Sequence, residues 1–296
     1  ARWNRHLLIL VPDDTPEIVF KETRSLVVKT EKFRVGFNPE ALYVDLACID
    51  STQFSTFNVV TQDMLRLLRE GKGPIRDSIL AGLARWRAFW SMPQTELTRK
   101  EALGLFGELW FMARWLGPVS SKIVDYWQVT LPARHDFQWP AASVEVKTAI
   151  TASEGAPTHH ISNLDQLADP ERGHLFLFSL QVREDALAAN TLHSLVKKIA
   201  GDLKGDFGAL GRFQEKVSLR NYTAADQQNA NRKFRIMAER LYAVDKNFPR
   251  LVKADFDPGG LPAGIIEVGY KIDTAACQNW LIAQAPSSVA ASKLGL

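Results

Sequence analysis

The pattern of apolar and polar residues reads as short strands in three stretches near the start of the chain, 7–11, 25–29 and 41–49. Proline, aspartate and Asn38-Pro39 turn signals separate them, so this part reads as β-rich. The spacing then lengthens to that of helices. Residues 61–70 carry Met64, Leu65 and Leu68 on one side. Residues 75–90 carry Ile79, Leu80, Leu83, Trp86 and Trp90. Thr98-Arg99-Lys100-Glu101 is a capping box, opening a helix over 99–116 with the stripe Leu105, Leu109, Met112 and Leu116. Period two appears at 144–150, and 174–182 is an apolar run long enough for a strand covered on both faces. Helices follow over 191–203 and 207–220, with strands over 234–245 and 264–273. This order predicts an α/β (α+β) protein, a central mixed β-sheet flanked by helices. Gly71-Lys72-Gly73-Pro74 is the clearest break. It suggests a β-rich region at 1–72, a main domain at 73–283 and a flexible tail at 284–296, rich in Ala and Ser.

The chemistry concentrates in 133–150. Val144, Val146 and Ile150 share one strand face, while Glu145, Lys147 and Ala149 share the other. A corner at Pro140-Ala141-Ala142 folds the preceding residues back and brings Asp136 opposite or nearly opposite Glu145. Two carboxylates this close repel unless a cation sits between them. Lys147 does part of that work, and a divalent ion would do it better. Glu-x-Lys alone is weak evidence, since it arises by chance about once in a chain of this length. Glu70-Gly71-Lys72 is such a case, disqualified by its glycine at a helix end. Glu108 adds a third acid, set among Phe106, Leu109, Trp110 and Phe111, where a carboxylate is costly unless paired or metal-bound. Gly104 and Gly107 would let its helix approach a sheet closely.

The stretch resembles the PD-(D/E)XK nuclease superfamily, with Asp136 and Glu145-Val146-Lys147 in the motif positions. Residues 104–109, His159-His160-Ile161-Ser162, Gln166-Leu167, 240–245 and 248–251 are similar to a bacterial family found near restriction and phage-defence genes. One departure is His135, where the motif usually has proline. The resemblance implies a restriction-endonuclease-like core and a Mg²⁺-dependent endonuclease acting on DNA, with Mn²⁺ able to substitute. It implies Asp136, Glu145, Glu108 and the Val146 carbonyl as metal ligands. Lys147 would act on the attacking water, and Gln166, on a short helix capped by Ser162-Asn163, would hold the lysine or the water. Restriction or defence subunits, or a second copy, would be its partners. Asp125 is a further candidate, set near the site or on a turn. The rival reading is a nuclease-fold subunit that binds DNA or partners without cutting. A metal-free acid/base pair is disfavoured, because Lys147 would keep both acids ionised.

Charge changes the picture in one region. The net charge is only +3, yet 212–253 holds ten Lys or Arg against four acids. Arg212, Lys216, Arg232, Lys233 and Arg235, with His160, are therefore candidate DNA contacts. Cys48 and Cys277, in apolar surroundings, read as free thiols suited to a reducing cytoplasm. No signal peptide or apolar run near eighteen residues is visible, so no membrane role is expected. The chain does not begin with Met, which leaves its native start open.

Overall fold

A computed structural model describes residues 4–296 except 21, 22, 24, 51–53, 72, 92–96, 130–132, 152–154, 223–230, 257–260 and 263, and omits the side chains of 55, 56, 59, 85 and 87–91. Lys72, the Trp90 side chain and the middle of the polar loop after residue 150 therefore lie outside the described residues. The chain divides into two compact units, and neither is continuous in sequence. One comprises 1–96 with 204–226; the other comprises 97–203 with 227–296.

In the first unit β1 (Arg5–Leu10), β2 (Leu26–Phe33) and β3 (Ala41–Cys48) form an antiparallel sheet in the order β1-β3-β2. Helices α1 (Phe54–Glu70) and α2 (Ile75–Ser91) bring Phe57, Val60, Met64, Ile79, Leu83 and Trp86 onto Ile9, Val28, Val44 and Leu46. The apolar stripe of α1 begins earlier than residue 61, since Phe54, Phe57 and Val60 precede Met64 on the buried side. Asp13 and Asp14 lie in an exposed turn, as solvated acids after a strand do.

In the second unit α3 (Arg99–Trp115) starts at the capping box: Thr98 Oγ1 accepts from the Glu101 amide at 3.2 Å, and Glu101 Oε2 accepts from the Thr98 amide at 2.9 Å. After α4 (Ser121–Tyr126) come β4 (Phe137–Trp139), β5 (Ala142–Ile150), β6 (Thr158–Ile161), β7 (His174–Glu184) and α5 (Leu192–Asp202). Helix α6 (Phe207–Leu219) belongs to the first unit, against α1 and α2. The second unit resumes with β8 (Phe234–Val244), β9 (Tyr270–Asp273), β10 (Leu281–Ala283) and α7 (Ser288–Leu294).

Its five-stranded sheet runs β10-β8-β7-β5-β4, with β5 and β7 parallel and the other pairs antiparallel. The mixed sheet flanked by helices is the α/β architecture expected. On one face α3 packs aromatic rings, with Phe111 4.8 Å from Phe178 and 5.2 Å from Phe137. Gly107 makes that approach possible, since a Cβ there would collide with Thr148 Oγ1. On the other face Ile161, Ile272 and Cys277 cover Leu175, Leu177 and Tyr242. Both cysteines are free and buried.

Three expectations are corrected. Residues 163–168 form turns instead of a helix: Asn163 Oδ1 accepts from the amides of Asp165 and Gln166 at 3.0 and 3.2 Å, as a helix cap would, but Pro170 follows too soon for the helix to extend. Only Tyr270–Asp273 of the last expected strand is extended. Gly264 turns the chain at φ +91°, and Ile266 is fully exposed with no face to bury. The expected tail contains α7, which is capped by Ser287 and buries Ala290 and Leu294; Trp139 Nε1 donates to the Leu294 carbonyl at 2.8 Å. No helix among the described residues is long and apolar enough to cross a membrane.

Candidate active site

Strands β4 and β5 form a hairpin about Pro140-Ala141, with Phe137 paired to Val144 and Trp139 to Ala142. Continuing that register sets Asp136 level with Glu145, one residue beyond the end of β4. The Asp136 carboxylate caps the open strand edge, where Oδ2 accepts the Val146 amide at 2.8 Å. A residue's N–H and C=O leave a strand on the same edge. The Val146 carbonyl therefore emerges beside Asp136, at a position β4 does not reach.

Glu145 is buried at 3% exposure, and its Oε1 pairs with Lys147 Nζ at 2.8 Å. The lysine retains a modest opening to solvent, with 15% of its side chain exposed. Glu108 is buried on α3, and its Oε2 accepts the indole N–H of the fully buried Trp127 at 2.8 Å. Burial raises the Asp136 carboxyl well above the usual carboxylate range. The charges of Glu145 and Glu108 push it further, against the opposing pull of the Val146 amide and Lys147. Glu145 and Glu108 are thus each close enough to Asp136 to repel it, with Lys147 paired to Glu145.

Among the described residues no three His, Cys, Asp or Glu side chains are arranged to hold one metal ion. The donor set nevertheless fits a hard divalent cation. It offers oxygen ligands only, and its mutual repulsion is what a cation relieves. Mg²⁺ is commonly held by one or two carboxylates and keeps several waters. Asp136, Glu145 and the Val146 carbonyl meet that need, and Glu108 can act through water.

Other sequence candidates fall elsewhere. Gln166 Oε1 accepts from the Ser162 amide at 2.7 Å, which braces a turn. Of the two histidines on β6, His160 is exposed and His159 is buried. Asp125 is exposed on α4. Arg212 and Lys216 lie on α6 of the first unit. Arg232 and Arg235 pair with Glu184 and Asp185, and Lys233 donates to the Ala186 carbonyl at 3.0 Å, so this part of the basic run is tied to the end of β7. His135, in place of the motif proline, is buried and donates from Nε2 to the Ala168 carbonyl at 3.1 Å. Burial holds its ring neutral, with a pKa near 4. It lines a polar cavity of about 440 Å³ with Gln128, Arg134, Gln138, Glu171 and Arg172.

The structure also gives partners that the sequence does not reveal. His159 Nε2 lies 2.7 Å from Ser179 Oγ, and Arg240 Nη1 donates to Gln181 Oε1 at 3.1 Å. Burial, reinforced by the charges of Lys147 and Arg240, lowers the His159 pKa to about 3, so the ring is neutral. A sequence signal for this row existed: Ser179 and Gln181 are polar residues two apart inside the apolar run of β7.

Residues 1–275 match a family described as "Putative PD-(D/E)XK family member, (DUF4420)". No curated protein and no solved structure matches the chain.

Proposed function

The chain belongs to that PD-(D/E)XK family, and from this premise we propose that it is a metal-dependent endonuclease hydrolysing DNA phosphodiester bonds. The observation that carries the reading is the meeting of Asp136, Glu145 and Glu108 with Lys147 at an open strand edge. Asp136 and Glu145, with the Val146 carbonyl, would hold Mg²⁺, with Mn²⁺ as a substitute. When bound, the ion would neutralise phosphoryl charge and lower the pKa of a coordinated water. Lys147 would orient the attacking water and offset charge on the phosphate. Trp127 fixes the Glu108 carboxylate, and the Val146 amide fixes that of Asp136. A restriction or phage-defence role, with companion subunits or a second copy, fits the family resemblance, as does a cytoplasmic setting.

A second reading, a subunit that binds DNA without cutting, draws on the closed Lys147–Glu145 pair and on the lack of a three-ligand cluster among the described residues. Plasmid cleavage separates the two. The nuclease should nick or linearise DNA with Mg²⁺ or Mn²⁺ and stop with EDTA. Lys147→Ala should lower the rate by at least about a hundredfold while leaving DNA affinity within roughly twofold. A wild type inert under every divalent ion, yet binding DNA, would establish the second reading.

A further inference from the structure

Two residues on successive strands share the register and the face of Lys147: Ser179 on β7 and Arg240 on β8. Neighbouring strands lie about 4.8 Å apart, so the backbones beneath the ammonium and the guanidinium are roughly 10 Å apart. Two long side chains can span that gap. Between them lie Ser179, fully buried, and the His159 ring bonded to it, a spacer that carries no negative charge.

Arg240 is oriented as well as placed. Its Nη1 donates to Gln181 Oε1 at 3.1 Å. Gln181 is buried at 1% exposure, and its Nε2 donates to Thr151 Oγ1 at 3.2 Å and to the Gly155 carbonyl at 2.9 Å. Arg240 itself remains partly open to solvent. Among the described residues no carboxylate pairs with it, whereas Arg232, Arg235 and Arg250 each have one. A guanidinium aimed by a buried amide, open on one side and without an acid, suits an anion from outside the chain.

We propose that Arg240 is a second phosphate anchor, gripping a nucleic-acid phosphodiester next to the one presented to Lys147, with Gln181 as its positioning residue. The ligand class rests on the nuclease reading, whereas the placement of the guanidinium does not.

The test is anisotropy of a short labelled DNA duplex in EDTA, titrated with protein between about 50 and 200 mM salt. Arg240→Gln should weaken binding roughly tenfold and lower the slope of log affinity against log salt by about one. Arg240→Lys, which keeps the charge, should restore that slope. Unchanged affinity and slope in Arg240→Gln overturn the proposal. It is equally overturned if both variants lose affinity alike and melt early, which marks a structural arginine. Cleavage by the wild type in Mg²⁺ is measured alongside. If the slope falls as expected and cleavage is absent, the anchor stands and the catalytic reading fails. If cleavage is robust and the slope is unmoved, only the anchor fails.

Discussion

The surroundings of Asp136 discourage a negative charge on its carboxyl. With no cation present, burial and two neighbouring carboxylates favour its protonated form. Removing the charge while keeping the acceptor for Val146 should relieve that repulsion. Asp136→Asn is thus expected to stabilise the metal-free protein at neutral pH and to raise its Tm. Scanning calorimetry in EDTA checks this, and a lower Tm in the variant would contradict the repulsive cluster. His159 sets the opposite pH dependence. Its folded pKa, about 3, lies below the ordinary value of 6.5. Its contribution is therefore complete above pH 6.5 and is lost as pH falls from there toward 3, at no more than about 1.4 kcal/mol per pH unit. His159→Gln should flatten the decline in urea midpoint across that window. The motif acids and Lys147 were legible in the sequence because they sit close together on a short hairpin. The partners Trp127, Ser179 and Arg240 were not, since each reaches the site from a different strand or loop.

At the scale of elements, periodicity located most strands and helices of the chain, and it failed where a proline or a glycine interrupted the pattern. Pro170 follows the Asn163 cap too closely for the expected helix to form, and Gly264 cut an expected strand short. The contact between α3 and β5 was half legible: a glycine pair suggested close approach, and Gly107 is the member that is buried. Gly107→Ala gains about 1 kcal/mol of helix propensity but drives a methyl group into Thr148, at a cost of about 1–3 kcal/mol. The expected result is a net loss of stability, read from chemical denaturation. Thr148→Ala in the same chain should recover part of it, since the colliding hydroxyl is then absent. Additive effects of the two changes would show that the helix does not rest on that strand.

At the scale of the whole molecule, the sequence offered a break near residue 72, which the fold does not use. Apolar spacing reports which face of a helix is buried, and it is silent about which distant segment covers that face. Helix α1 finds α6, more than a hundred residues later, as a partner in its own unit. Residues 1–96 produced alone should therefore show strand and helix signals by circular dichroism but a broad, weakly cooperative melt. A sharp transition in that fragment would mean that the sheet and its first two helices suffice without α6.

The interleaving of the two units also bears on how a ribosome delivers them. The first unit lacks α6 until translation has passed residue 219, and by then β5 and β7 have been made without β8. The first unit's complete sheet and its helices thus wait without α6, while β7 of the second unit waits without β8 on its free edge. Slow codons or a chaperone acting within 204–244 would touch both units at once, which makes that short interval the one where synthesis and folding of this protein are most tightly coupled.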